Sequence, residues 1–461
     1  MSTSGISLAS LGLSSSSSNS GIDVTAVVDQ ILYAKRAPER LWQAQQASLN
    51  LQAVALKTIN GELSDLQIKV NALKDSFGVV GSKTVTSSQP GILTGTAQNN
   101  AISGNHTIVV SRLASTSTYY SDAVASDAAF APGTISLQVG SGQATLITID
   151  ATNNTVASLA SHINGLNLGV KASAMNDVSG SRLVLISNTT GGAGDLTLSG
   201  QLTLASNGSA VNFSKISGQD AAFTVDGVPV NSSTNSVNTI IPGVTLNLVG
   251  ASPGTQVEVG VGPDMARVTS AVNDFVSSYN TLIAAINVQF TAPSEGNSAP
   301  PLEANTSLRL LQTNLLSNMT YSMSGNNGIT SLASIGITMN NDGTMTLDST
   351  QLDHVLQNNF SDFQAFFQSF DTSNPGFGYH LGSDLLNLTD TTEGLLNVEI
   401  TQNTATQKLL TDQINQFEDQ LATTQQQLIA QYSKIDAALR QYSTLMTQIA
   451  AELSTLPQIS K

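Results

Sequence analysis

Few residues in this chain have the types and spacing that catalysis or metal binding requires. The four histidines stand apart, and none has a second ligand type at the spacing of a metal site: His106, His162, His354 and His380. The chain has no cysteine, which excludes disulfides and thiolate chemistry. We therefore interpret the histidines as surface or loop residues, and we predict no metal ion and no cofactor.

One segment imitates part of a calcium-binding loop. Asn340, Asp342 and Gly343 match the middle of an EF-hand. Thr338 and Ser349 stand at its first and twelfth positions, where an EF-hand has carboxylates. Without those two ligands the segment predicts a hairpin turn over residues 341–343.

A glycine-rich run and the abundant serines also fail to define an active site. The run Gly191-Gly192-Ala193-Gly194 is not followed by Lys and Ser or Thr, and it lies between predicted strands, so it does not predict a phosphate-binding loop. No Gly-x-Ser-x-Gly motif marks a nucleophile. We find no active site and predict that the protein is not an enzyme.

Composition excludes two classes of partner. The chain has 461 residues and a formal net charge of -15 at pH 7. Because phosphate binding needs a basic surface, we predict no binding to nucleic acid or to anionic lipid. The first 21 residues lack the basic and apolar regions of a signal peptide. No run reaches the roughly 18 apolar residues of a membrane helix, so we predict no membrane insertion.

Two long helices with the same apolar rhythm are predicted at opposite ends of the chain. Apolar residues spaced mainly three and four apart recur at Leu49, Leu56, Ile59, Leu63, Leu66, Val70, Leu73 and Phe77. The pattern returns at Leu428, Tyr432, Ile435, Leu439, Tyr442, Met446, Ile449 and Leu453. This spacing places one apolar stripe along each helix, a seam that packs against other helices. Residues 395–456 contain neither Gly nor Pro, which predicts a single helix about 90 Å long.

The region between these helices has the glycine content and the short alternating runs that are typical of β-structure. Residues 78–263 hold 23 of the 36 glycines, and short alternating apolar runs separate them. Asp226-Gly227, between Phe223-Thr224-Val225 and Val228, predicts a tight hairpin turn, because glycine accepts the positive φ that such a turn requires. Residues 134–188 predict the order strand, strand, helix, strand, strand.

Together these patterns predict an α+β protein with a coiled-coil-like helical stalk made by both chain ends and a β-rich head inserted between them. The predicted divisions are a disordered N-terminus with a terminal stalk helix (1–45), an N-terminal helix of the stalk domain (46–77), the head (78–263, with about 115–205 inserted as a subdomain), the rest of the stalk domain with a small hairpin (264–424) and the C-terminal stalk helix (425–461).

The outermost parts of the two helical ends are expected to lack a partner within one chain. We expect the terminal helices to pack antiparallel, which leaves residues 22–37 and about 428–456 unpaired. Burying an apolar side chain is worth on the order of 1.5–3 kcal/mol, so these stripes predict contact with another subunit. An ordinary seam within the chain is the alternative for the C-terminal stripe. The predicted contact residues are Val24, Val27, Ile31, Leu428, Tyr432, Ile435, Leu439, Tyr442, Met446, Ile449 and Leu453.

Several segments resemble one known family along nearly the whole chain. They begin at Gly21-Ile22-Asp23-Val24 and are most specific over Gly218–Val228 and Ile241–Leu248, in that order before the helix at Val272–Leu282. This series resembles the flagellar filament capping proteins, the hook-associated protein 2 family. Residues 134–188 are similar to an insert found also in flagellins, so they are less specific. The family signature residues are Phe223, Asp226, Gly227, Pro242 and Gly243.

The resemblance implies an extracellular, homo-oligomeric and pentamer-like cap at the distal tip of a bacterial flagellum. Such a cap promotes flagellin polymerisation and prevents loss of exported flagellin. The implied partners are other copies of the chain, flagellin, the hook-filament junction protein and a flagellar export chaperone. Export would follow the flagellar type III route without a cleaved signal peptide. The alternative is a secreted adhesin whose head binds mucin or host matrix.

Overall fold

The computed structural model describes residues 22–292 and 298–454. The chain divides into two compact units, one made by both chain ends, up to Lys74 and from Val272, and one made by Asp75–Ala271. The first is mainly helical and the second mainly β, which confirms the predicted α+β class. The predicted disorder of the N-terminus (residues 1–21) and the last two residues of the helix predicted over 395–456 lie outside the described residues.

The helices and strands are named here in chain order. The α-helices are α1 Val24–Lys35, α2 Ala37–Lys74, α3 Val156–Gly165, α4 Met265–Gln289, α5 Thr306–Met319, α6 Ser349–Asn358, α7 Phe360–Gln368, α8 Phe377–Leu388 and α9 Leu395–Ser454. The strands are β1 Lys83–Ser87, β2 Leu93–Ala97, β3 Gly104–Arg112, β4 Thr116–Ser121, β5 Gly133–Val139, β6 Thr145–Ile149, β7 Val170–Asp177, β8 Gly180–Thr190, β9 Leu196–Gly200, β10 Leu202–Thr203, β11 Ala210–Val211, β12 Phe213–Ile216, β13 Ala221–Val225, β14 Val228–Ser232, β15 Ser236–Val237, β16 Val244–Leu248, β17 Val257–Pro263, β18 Ile337–Met339 and β19 Met345–Leu347.

The helical unit is organised around the antiparallel pair α2 and α9. Side-chain hydrogen bonds run from Gln46 to Thr411 and from Asn60 to Asn397, so rising numbers in α2 meet falling numbers in α9. The predicted apolar stripe of α2 is its buried face, and the six residues that are at most 1% exposed are Leu56, Ile59, Leu63, Leu66, Val70 and Leu73. The 3/4 spacing therefore identified this helix and its packed side.

The predicted divisions of the helical ends do not coincide with the ends of helices. The boundary at 45/46 falls inside α2, and the boundary at 424/425 falls inside α9. The first long helix ends at Lys74 rather than Phe77. Pro38 separates α1 from α2 without stopping the second helix, because proline is tolerated in the first turn, where backbone N–H groups have no helical partner.

The β-rich unit contains two hydrophobic cores. One core joins the five-stranded sheet β1-β17-β3-β13-β14 to the three-stranded sheet β15-β16-β2, and its buried residues lie in 93–114 and 221–261. The other core lies in residues 124–211 and packs α3 with the sheets β12-β4-β8-β7 and β6-β5-β9. The order predicted for residues 134–188 is present as β5, β6, α3, β7 and β8.

Candidate assembly surface

Helix α1 packs on α9, which corrects the expectation that residues 22–37 have no partner within the chain. The Asp23 carboxylate caps α1 by accepting a hydrogen bond from the Ala26 N–H at 3.0 Å. Apolar residues on one side of α1 then meet the apolar stripe of α9. The cluster consists of the buried Val28, Leu32 and Leu421, with Val24, Phe417, Leu428 and Tyr432 packed against it.

An ion-pair cluster lies at the junction between α1 and α2. The Arg36 guanidinium donates two hydrogen bonds to the Glu418 carboxylate, at 2.5 and 2.9 Å, and a third to Glu39 at 2.7 Å. The hydrogen bond from Arg36 lowers the pKa of Glu418, and the same contact raises the pKa of Arg36. Glu39 is buried and also accepts from the Gln43 amide at 2.8 Å, so its charge is well satisfied.

An aromatic contact adjoins this ion-pair cluster. The ring of Trp42 in α2 meets the ring of Phe417 in α9 edge to face, with centroids 5.3 Å apart. At the other end of α1, the Ile22 N–H donates to the Asp436 carboxylate at 2.8 Å. Contacts at both of its ends therefore hold α1 along α9, between Phe417 and Asp436.

From Ile435 onward the apolar stripe of α9 is exposed. Six of the predicted contact residues there are each at least 40% exposed, although they keep the 3/4 spacing of a packed seam: Ile435, Leu439, Tyr442, Met446, Ile449 and Leu453. They lie within the described part of α9, which continues as helix to Ser454. This exposed row, residues 435–453, is hereafter called the distal stripe.

The eleven predicted contact residues thus fall into two groups. Val27 is buried, while Val24, Ile31, Leu428 and Tyr432 are partly buried. The other six form the distal stripe. Contact of either group with a second molecule stays a prediction. Of the two groups, only the distal stripe is exposed while α1 is packed on α9.

Threonine hydroxyls along α9 are turned back onto the helix. Each donates to the carbonyl four residues earlier, as in Thr444 to Arg440 and Thr447 to Ser443, both at 2.8 Å. A threonine that bonds in this way has satisfied its hydroxyl locally and needs no polar partner on a neighbouring surface. The same bond occurs at Thr401, Thr404, Thr406, Thr411, Thr423 and Thr424.

The signature residues of the β-rich unit build two tight turns. Asp226 and Gly227 both have positive φ, +51° and +80°, which makes the predicted β13–β14 connection a type I′ turn. The Asp226 carboxylate accepts from the Thr107 N–H at 2.9 Å and lies 2.8 Å from the His106 ring. These hydrogen bonds, the one with His106 first, lower the pKa of Asp226. Phe223 is buried in the core beside this turn.

The second turn contains Pro242 and Gly243. The Val244 N–H donates to the Ile241 carbonyl at 3.0 Å, and Gly243 has a φ of +75°, as a type II turn requires at its third residue. A Cβ on Gly243 would lie 2.9 Å from Asn100 Oδ1, so the chain approaches too closely for a side chain. The signature residues therefore form two tight turns and one core position of this unit.

The remaining sequence candidates are also accounted for within the described residues. The predicted turn at 341–343 joins β18 to β19, and Gly343 has a φ of +83° there. Within residues 22–292 and 298–454, no three His, Cys, Asp or Glu side chains lie close enough to hold a metal ion. In the same ranges, no helix is long and apolar enough to cross a membrane.

Comparisons with known proteins agree with the resemblance along both units. Residues 20–117 match the family model for the N-terminus of flagellar hook-associated protein 2, and residues 218–444 match the model for its C-terminus. The B-type flagellar hook-associated protein 2 of Pseudomonas aeruginosa is 30% identical over 87% of this chain and 89% of its own. Flagellar hook-associated protein 2 of Escherichia coli K12 is 29% identical over 98% of each chain.

A solved structure shares the fold. The crystal structure of domains D1 to D3 of the flagellar cap protein FliD from Escherichia coli superposes with a TM-score of 0.55 at 25% sequence identity. The match covers 76% of this chain and 99% of that one.

Proposed function

This chain belongs to the flagellar hook-associated protein 2 family, the filament cap proteins of bacterial flagella, and we propose that the distal stripe of α9 attaches the cap to its neighbours in the growing filament. Family membership places the protein at the tip of the flagellum, in an oligomeric assembly with flagellin. It also identifies the chain as a structural protein. The observation that supports the role of α9 is its continuous apolar stripe, covered by α1 up to Tyr432 and exposed from Ile435 onward.

The chemistry of the distal stripe suits a contact that keeps the cap attached and yet breaks and forms again as subunits are added. A cap promotes flagellin polymerisation only if it stays attached while each new subunit inserts beneath it. Apolar contact is non-directional, so Ile435, Leu439 and Ile449 gain free energy against any apolar groove without a fixed set of hydrogen-bond partners. The threonines of α9 need no such partners either, because their hydroxyls are bonded to their own helix.

We propose that α9 also contacts the export chaperone and the hook-filament junction protein. Before assembly, an export chaperone would cover the distal stripe, which otherwise exposes six apolar residues to water. At the start of assembly the cap would sit on the hook-filament junction protein, before flagellin is added. Passage through the flagellar type III channel without a cleaved signal peptide fits a chain with no disulfide to block unfolding. A pentamer-like ring of copies is the assembly that we propose.

The adhesin alternative receives no support from the comparisons. The matched relatives and the matched structure are named for the hook-associated and cap role, and they span both the helical and the β-rich unit. An adhesive head by itself would not require the terminal helices.

Two triple variants of α9 test the proposed role of the distal stripe. In the first, Ile435, Leu439 and Ile449 are each replaced by Asp, which puts three charges into the apolar row. In the matched control, Gln441, Thr444 and Gln448 on the opposite face are each replaced by Asp. An apolar contact does not tolerate unpaired buried charges, so we expect the first variant to leave short filaments and free flagellin in the medium.

The readouts separate attachment from export. Filament length by electron microscopy and flagellin in the medium report on capping, while the secreted amount of each variant reports on export. The control variant is expected to give normal filaments, since its added charges face water. Normal filaments with the first variant, at normal secreted levels, would rule out the proposed role of the distal stripe.

A further inference from the structure

Met446 is the most exposed methionine in the described part of the chain. The residue is 59% exposed, against 55% for Met175 and 39% for Met339. Met265 is partly buried, and three methionines are at most 6% exposed: Met319, Met323 and Met345. A dissolved oxidant reacts with a thioether only where it reaches the sulfur, so exposure selects the methionines that oxidise.

Met446 lies within the distal stripe. It follows Tyr442 by four residues and precedes Ile449 by three, so the three side chains share one side of α9. Tyr442 and Ile449 are themselves 69% and 44% exposed. Met175 lies in β7 and Met339 in β18, so among the methionines that the structure describes only Met446 belongs to this stripe.

The two threonine hydroxyls that flank Met446 in sequence are already bonded to their own helix. Thr447 donates to the Ser443 carbonyl and Thr444 donates to the Arg440 carbonyl, both at 2.8 Å. An oxygen added to the Met446 sulfur would therefore gain no donor from these threonines unless one of those bonds broke. In water such an oxygen is hydrated, but inside an apolar contact it is buried without a partner, which is unfavourable.

We propose that Met446 is a peroxide-sensitive modification site and that its sulfoxide weakens the contact made by the distal stripe. The second part rests on the proposed function of that stripe. In the reaction, the sulfur lone pair attacks one oxygen of hydrogen peroxide, so that an S–O bond forms and the O–O bond breaks. The sulfur is oxidised by two electrons, the peroxide is reduced, and a proton moves to the departing oxygen, which leaves as water.

This oxidation acts on attachment and leaves the fold unchanged. A sulfoxide turns a flexible apolar side chain into a polar one. The free chain tolerates the change, because Met446 already faces water. The apolar contact does not tolerate it, because the new oxygen is buried there. Since that contact breaks and forms again as subunits are added, the sulfur is open to the oxidant in each interval.

Peptide mass spectrometry of the purified full-length protein, treated with hydrogen peroxide, tests the first part of the proposal. We expect sulfoxide to accumulate several times faster at Met446 than at the three buried methionines, and methionine sulfoxide reductases to remove it. Circular dichroism should show the same helix content before and after oxidation. Sulfoxide that forms at Met446 no faster than at Met319, Met323 and Met345 would overturn the proposal.

Regrowth of sheared filaments, with and without sublethal peroxide, tests the second part. We expect peroxide to shorten the regrown filaments of cells with the parent protein and to release flagellin into the medium. Met446→Leu keeps an apolar side chain of similar size without the sulfur, so it should preserve regrowth in peroxide. Met175→Leu, which removes the exposed methionine of β7, is the matched control and should be as sensitive to peroxide as the parent. Met446→Gln, which is polar at all times, should shorten filaments without peroxide.

The triple Asp variant of Ile435, Leu439 and Ile449 distinguishes this inference from the proposed function. Short filaments in that variant, with equal regrowth of the parent and Met446→Leu in peroxide, would overturn the role of Met446 and leave the proposed function standing. Normal filaments in the triple Asp variant would overturn both.

Discussion

Arg36 and Glu418 form a two-pronged ion pair between residues 382 positions apart, with N–O distances of 2.5 and 2.9 Å. The pair lies where α1 gives way to α2, so it fixes both helices to the same stretch of α9. Glu39 accepts from the same guanidinium on the α2 side. This cluster makes α1 and α2 successive partners of a single helix.

The packing beside this ion pair should respond to acid. In the folded protein the pKa of Glu418 lies below its ordinary value of 4.5, chiefly because Arg36 donates hydrogen bonds to it. A lowered folded pKa gives stability that is present above pH 4.5 and is lost as the pH falls through the folded value. Trp42, the only tryptophan, contacts Phe417 beside Glu418. We therefore expect its fluorescence emission to shift to longer wavelength at acidic pH below 4.5, as Glu418 takes up a proton.

Two variants show whether Glu418 causes that transition. Glu418→Gln removes the charge and should abolish the acid step in Trp42 fluorescence. Asp390→Asn removes a carboxylate of the same unit whose pKa is also lowered, by hydrogen bonds from the Glu393 and Thr392 N–H groups, and it should leave the step intact. A step that persists in Glu418→Gln would assign the transition to another group.

Detaching α1 should leave the rest of the helical unit folded. Val28 is 1% exposed in the small cluster between α1 and α9, separate from the main buried face of α2. Val28→Asp puts a charge there, and a 12-residue helix without tertiary contacts is marginal in water. We expect fast hydrogen exchange over residues 22–36, measured by mass spectrometry, with an unchanged main melting transition. Thr25→Asp, an exposed change in the same helix, should keep these amides protected.

The sequence predicted the long helices and the main turns because their signals are local. A 3/4 apolar row marks α2 and α9, and Asp226-Gly227 marks the β13–β14 turn. The pairing of α1 with α9 was missed because it depends on length. Helix α9 runs past the start of α2 by more than the length of α1, and no single segment of sequence contains that information.

Helix α8 was missed because its glycines resemble loop residues. A Cβ on Gly378 would lie 2.5 Å from the Phe367 carbonyl oxygen, and a Cβ on Gly382 would lie 2.9 Å from Lys74 Nζ. These glycines therefore allow α8 to pack closely against α7 and α2. The sequence of α8 alone does not contain this information, because the close atoms belong to other helices.

The β-rich unit should fold when expressed alone. Residues 75–271 contain both of its hydrophobic cores and all the strands that cover them. The predicted head, residues 78–263, lies inside these limits and omits the first residues of α4. We expect a β-type circular dichroism spectrum and dispersed amide proton resonances from residues 75–271. A fragment without dispersed resonances would show that the helical unit is needed to complete this fold.

The two signature turns should differ in their tolerance of a side chain. Gly243 and Gly227 both have positive φ, so alanine at either position should destabilise the turn by about 1–2 kcal/mol. A Cβ on Gly243 would also meet Asn100 and Ala101 at 2.9 and 3.0 Å, whereas a Cβ on Gly227 would have nothing within 4 Å. Gly243→Ala should therefore lower the urea midpoint of the β-rich unit more than Gly227→Ala. Hydrogen exchange of its strands in the full-length protein, at increasing urea, measures both midpoints.

The Gly227→Asn variant serves as the control. Its urea midpoint should be the closest to that of the parent, because asparagine accepts the left-handed conformation of this turn. Equal midpoints for the two alanine variants would show that the close approach around Gly243 relaxes without loss of stability.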